Sequence, residues 1–224
     1  MIQHISFDLW LTLIKSNPLF KRKRAEMIAD SFRPKNMNVE QIEALVQQKD
    51  RVFDRYNEMT GVKIPARFMY LSVLKAIDPQ SRNADIESVL WLMLQSNELL
   101  MDYPPQLLND KIPDILKALQ SETGSLNIGS NTGYMEGSIL RRVLKKMGIY
   151  DFFTFFVFSD EIQASKPSPA FFQSILDRTS FPKSGILHIG DNLKTDYRGA
   201  VKFGFKAILL TDSNYTLHDI KSKL

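Results

Sequence analysis

Apolar positions along the chain follow two periods. Predominantly apolar runs, the mark of strands buried on both faces, occur at residues 3–14, 126–129, 152–158, 186–189 and 206–210. The first is interrupted by a single carboxylate, Asp8. Elsewhere apolar residues recur at helical spacing. Met27, Ile28 and Phe32 predict one helix, Ile42, Leu45, Val46 and Phe53 a second, Phe68, Leu71 and Leu74 a third, and Ile86, Val89, Leu90, Met93 and Leu94 a fourth. No convincing strand lies among these four.

From Ile112 onward helix and strand alternate. Ile115, Leu116 and Leu119 face one helix, and Ile139, Leu140, Val143, Leu144 and Met147 a second that stops at Gly148. Ser168 and Pro169 cap a third, carrying Phe171, Phe172, Ile175 and Leu176, and a fourth is predicted from about Thr195 to Phe203, closed by Gly204. Such alternation predicts an α/β fold, a doubly wound parallel (Rossmann-like) sheet with helices on both faces. The four earlier helices form an inserted helical cap, bounded by Ser16-Asn17-Pro18 and Tyr103-Pro104-Pro105, where proline stops regular structure. Residues 1–15 and 103–224 are assigned to the core and 16–102 to the cap. Two chain crossings at those points predict a hinge.

Ligands of open α/β sheets bind outside the carboxyl ends of the strands, which makes Asp8 a candidate reactive group. Later features match it. The strand at 126–129 runs into Ser130 and Asn131, Lys166 sits in Ala164-Ser165-Lys166-Pro167-Ser168-Pro169, and the strand at 186–189 ends in Gly190-Asp191, with Asp196 following. In order and spacing these resemble the haloacid dehalogenase-like hydrolase superfamily, over the whole chain. That resemblance implies Asp8 as nucleophile, Mg2+ on Asp8, Asp191 and the backbone carbonyl of Trp10, and Asp196 in support. It also implies that Ser130, Asn131 and Lys166 bind the substrate, Lys166 sharing in catalysis.

One position departs from the pattern. Phosphatases of the superfamily carry a second Asp two residues after the first, where this chain has Trp10; Leu11 replaces the following Gly, while Thr12 and Leu13 fit. A general acid/base contributes about 10²–10⁴-fold, and an indole cannot transfer a proton in that way. The favoured expectation is a weak or specialised Mg2+-dependent phosphatase of a small phosphorylated metabolite. Alternatives are a 2-haloacid dehalogenase, in which halide leaves unprotonated, and a phosphonate C–P hydrolase with an imine-forming lysine, for which Lys15, Lys23, Lys49 and Lys63 are formal candidates. A binding module with little turnover is the last.

Composition narrows this further. The absence of cysteine excludes disulfides, thiolate metal sites and a cysteine nucleophile. No stretch approaches the roughly 20 apolar residues of a membrane span, and the start lacks a secretory pattern, so a cytoplasmic protein without membrane contact is expected. The net charge of +4 suits an anionic small-molecule substrate. Acidic residues intersperse the basic clusters and no aromatic platform accompanies them, so nucleic acid is not expected. His188, inside a strand, reads as a buried structural residue; His4 and His218 have no evident partners.

Overall fold

The computed structural model describes residues 1–78 and 85–210; His218 lies outside them. Strand β1 is His4–Phe7, β4 Leu126–Ser130, β5 Phe155–Phe158, β6 Ile186–Gly190 and β7 Lys206–Leu209. They form one five-stranded sheet in the order β5-β4-β1-β6-β7, with every pairing parallel. Crossovers therefore run outward in both directions from central β1, the doubly wound arrangement whose switch point opens a crevice beyond the strand ends.

Both faces of the sheet are covered. Apolar residues of helices α5 (Ile112–Thr123) and α6 (Gly137–Lys146) pack with Ile5, Phe7 and Ile128 in one cluster. Those of α8 (Pro169–Leu176) and α9 (Gly199–Phe203), which follow the short α7 (Ser159–Ile162), pack with Val157 and Ile186 in another. In β6, Ile186 joins one cluster and its neighbour Leu187 the other, as strand alternation requires. The sequence-predicted strand at 152–158 is shorter than expected, because Tyr150–Phe152 form a 3₁₀ turn before β5.

Helices α1 (Pro18–Phe32), α2 (Val39–Thr60), α3 (Ala66–Ile77) and α4 (Ile86–Asp102) occupy the predicted insertion. Two short strands frame it, β2 (Ile14–Lys15) pairing antiparallel with β3 (Gln106–Leu107). Asn17 accepts from Leu19 N to cap α1, and its Nδ2 donates to the Pro104 carbonyl at 3.1 Å, joining the two chain crossings. The face expected for α4 is corrected. Val89, Leu92, Ser96 and Leu100 are buried, while Leu90 and Leu94 are exposed. A helix apolar on most of its sides has no unique inner face until its neighbours choose one.

The closing helix also differs from expectation. It opens at Leu193, earlier than expected, with a wider π turn through Arg198 before α9, and Asp196 lies in its first turn. In that turn Asp196 folds back against Gly190. A Cβ on Gly190 would sit 2.4 Å from the Asp196 carboxyl carbon, so that position accepts only glycine.

Candidate active site

Asp8 follows directly on β1, and its backbone N–H donates to the Ile189 carbonyl at 2.8 Å, which ties it to the end of β6. The turn after it closes through Leu13 N–H and Ile14 N–H donating to the Leu9 carbonyl at 2.9 and 3.1 Å. Thr12, inside that turn, donates its hydroxyl to Asp8 Oδ2 at 3.2 Å. Leu11, where the family pattern has glycine, is held at φ +57°.

Parallel pairing of β1 with β6 brings Asp191 and Asp196 to Asp8. Each of these three residues offers a carboxylate oxygen, and the oxygens lie within 4.8 Å of one another. Lys166 Nζ donates to Asp8 Oδ1 at 2.7 Å and to the Gly129 carbonyl at 2.8 Å, and it lies 2.7 Å from Asp196 Oδ1 as an ion pair. Asn131 fixes the segment carrying that lysine. Its Oδ1 accepts from Lys166 N–H at 2.7 Å, and its Nδ2 donates to the Lys166 carbonyl at 3.0 Å.

The charges respond to this crowding. Burial pushes Asp8 up to about 6 despite the opposing pull of Lys166, with Asp196 and Asp191 adding to the rise. Burial also raises Asp191, helped by the charge of Asp196. For Asp196 burial acts upward too, but Lys166 and His188 outweigh it and hold the carboxyl far below its usual range. Burial would depress Lys166, yet Asp196 and Asp8 keep it above its ordinary value.

The predicted residues fare differently. Asp8, Asp191, Asp196 and Lys166 converge, and with Trp10 and Asn131 they line one cleft of about 550 Å³. Ser130 is buried and donates to the Asn131 carbonyl at 3.2 Å; it does not line the cleft. His188 is buried as expected, with Nε2 3.4 Å from Asp196 Oδ1 and Nδ1 3.1 Å from Ser6 Oγ. His4, expected to stand alone, has Asn127 Oδ1 at 2.8 Å and Ser125 Oγ at 2.9 Å from its ring nitrogens. Of the four lysines considered for imine formation only Lys15 lines the cleft; Lys63 is buried and donates to the Gly133 carbonyl at 3.2 Å.

Several cleft residues escaped the sequence reading. Arg24 is buried between the rings of Phe20 and Tyr134, its guanidinium carbon 4.9 and 5.1 Å from their centroids. Asp50, Asp54 and Glu58 approach from α2. Charges spaced by four on a helix carry no mark that separates a cleft wall from a solvated face. Asn192 was legible in principle, as an Asn before a helix; its Oδ1 accepts from Lys194 and Thr195 N–H.

With this geometry in place, the comparison with known proteins is decisive at the family level. The family model for haloacid dehalogenase-like hydrolases matches residues 2–204. The chain belongs to that family. Among solved structures it resembles the hydrolase YfnB of Bacillus subtilis bound to magnesium, with a TM-score of 0.73, 18% identity, and coverage of 96% of this chain and 91% of that one. It also resembles a phosphatase of the family from Thermococcus onnurineus (TM-score 0.70, 20% identity, 99% and 97% covered). A 2-haloacid dehalogenase from Pseudomonas syringae pv. Tomato DC3000 gives a TM-score of 0.66 at 20% identity, with 99% and 97% covered. At these identities the likenesses establish the fold alone. The chain spans 29% to 54% of the length of the curated relatives it matches in sequence. Among the described residues no helix is long and apolar enough to cross a membrane.

Proposed function

We propose that this hydrolase is a magnesium-dependent phosphatase of a small phosphorylated metabolite, acting through an aspartyl-phosphate on Asp8. The carrying observation is the acidic triad of Asp8, Asp191 and Asp196, with ligand oxygens within 4.8 Å and one ammonium, Lys166, among them. An anionic substrate approaching that excess of negative charge needs a further cation. An oxygen-only donor set suits Mg2+, which takes one or two carboxylates and retains water. Asp8, Asp191 and the Trp10 carbonyl would hold it, with Asp196 in support; bound there, it would neutralise phosphoryl oxygens and strengthen electrophilic phosphorus.

The residues of the chain account for the remainder. Lys166 and Thr12 fix the Asp8 carboxylate by its two oxygens, so the nucleophile is oriented before substrate arrives. The Asp8 oxygen bonds to phosphorus as the ester oxygen leaves. Water then cleaves the acyl phosphate and returns Asp8. Asn131 holds the Lys166 segment by both its amide atoms. We read α1–α4 as the cap over this site, since α1 and α2 supply cleft residues including Phe20, Arg24 and Asp54. The volume of the cleft is that of a small-molecule site, and no nucleic-acid or membrane role enters this reading.

Trp10 favours a second reading, a 2-haloacid dehalogenase. It lines the cleft where a proton-transferring carboxylate is missing, and halide leaves without a proton. Against it, Asp191 and Asp196 would repel a haloacid carboxylate. Hydrolysis of an aryl phosphate, acetyl phosphate, phosphonoacetaldehyde and 2-chloropropionate, each with magnesium and with chelator, separates the readings. Chelator-sensitive phosphate release from an ester or acyl phosphate is expected. Chelator-insensitive chloride release would replace this function with the second, and Asp8→Asn should abolish either reaction.

A further inference from the structure

The proposed reaction leaves one task without a group. An alkoxide departing from phosphorus needs a proton, and the water that cleaves the aspartyl-phosphate must lose one. Trp10 offers only an indole N–H. Lys166 donates to Asp8 and to the Gly129 carbonyl, and its charge is held in place by the carboxylates of Asp8 and Asp196.

Apart from the Asp8 triad, the carboxylates lining the cleft are Asp50, Asp54 and Glu58, at successive fourth positions of α2. Like charges at that spacing weaken a helix, so the stripe calls for another reason. Glu58 is the member that contacts the residues following Asp191. Asn192 Nδ2 donates to Glu58 Oε1 at 3.5 Å, and Lys194 Nζ lies 3.5 Å from its Oε2. Asn192 is the residue next to Asp191.

The other side of the site is fastened as well. Just past Glu58, α2 closes at Gly61 with φ +72°, and the Gly61 carbonyl accepts from Ser165 N–H at 2.8 Å. Val62 bridges Ala164 in the same antiparallel contact. Ser165 is the residue next to Lys166. The end of α2 is thereby pinned between the neighbours of Asp191 and Lys166, and Glu58 projects into the cleft from that pinned end with its side chain 26% exposed.

We propose that Glu58 is the acid–base residue of this enzyme, supplying from α2 the carboxylate that position 10 lacks. The inference rests on the phosphatase reading. In the first step the Asp8 oxygen bonds to phosphorus, the bond to the ester oxygen breaks, and the Glu58 carboxyl gives its proton to the departing alkoxide. In the second, the Glu58 carboxylate takes a proton from water while the water oxygen bonds to phosphorus and the bond to Asp8 breaks. Alcohol and inorganic phosphate leave, and Glu58 is again protonated.

The test is Glu58→Gln with magnesium, using n-propyl phosphate and acetyl phosphate. The ester needs the proton, whereas acetate leaves without one. The variant should lose about 10²–10⁴-fold in propyl phosphate hydrolysis. It should still be phosphorylated by acetyl phosphate, and intact-mass analysis should show the phosphorylated chain accumulating because its hydrolysis has lost the base. Asp54→Asn, one turn back, should accumulate none. Wild-type rates on both substrates, or equal loss on both with no phosphorylated chain, would overturn the assignment to Glu58 alone, as would accumulation in Asp54→Asn instead. A wild-type chain that hydrolyses neither substrate would remove the phosphatase reading and this inference together.

Discussion

Lys166 Nζ and Asp8 Oδ1 lie 2.7 Å apart, joined across 158 residues of chain, and the same ammonium lies 2.7 Å from Asp196 Oδ1. One buried cation therefore holds two buried carboxylates. Removing it while keeping its bulk, as in Lys166→Met, leaves both unopposed and should cost roughly 3–5 kcal/mol of stability. Denaturant unfolding without magnesium checks this, and hydrolysis should be lost in the same variant. Unchanged stability would mean that the carboxylates are neutralised by some other route.

Magnesium should raise the melting temperature of the wild type. A ligand at about a hundred times its Kd adds about 2.7 kcal/mol. Asp191→Asn removes one of the proposed ligands and should abolish the rise, read by thermal melts with and without the metal.

Leu11 occupies a left-handed backbone position at φ +57° and is exposed. That conformation costs a side-chain-bearing residue roughly 1–2 kcal/mol, while glycine gives back part of the gain through its more flexible unfolded chain. Leu11→Gly should therefore stabilise the fold by about 1 kcal/mol, a rise of roughly 2–4 °C in Tm. A fall in Tm would show that the leucine side chain contributes more to the cleft wall than its backbone costs.

Asp54 is accessible to water yet walled in by the cleft. That enclosure, with the charges of Asp50 and Glu58, pushes its carboxyl up to about 7. A carboxyl raised in the folded state favours folding while protonated, and the advantage is lost as pH rises from about 4, its unfolded value, to 7. Asp54→Asn does not titrate. Its Tm relative to wild type should therefore climb between pH 4 and 8, and a flat difference would refute the shift.

Trp10→Asp should raise phosphate-ester hydrolysis at least tenfold in the Glu58→Gln background, and by less in the wild type, because one proton carrier makes the other redundant. Initial rates of the wild type, the two single variants and the double variant decide it. No gain in a folded double variant would place the limit outside proton transfer.

The sequence by itself determined the alternation of apolar runs with helical stripes, and hence the parallel sheet and its order of elements. It also supplied four motif residues: Asp8 and Asp191, because each follows a run too apolar to hold a charge without cause, and Lys166 and Asp196, through their order and spacing in the family resemblance. These are properties of neighbours along the chain. Tertiary structure alone decided which side of α4 is buried, that the Ser130 hydroxyl turns to the Asn131 carbonyl, and that Asn131 braces the Lys166 segment. It also decided that Glu58, Asp54 and Arg24 reach the cleft. A helix charge looks the same in sequence whether it faces water or a substrate; only the packing of α1 and α2 over the ends of β1 and β6 turns some of those charges inward.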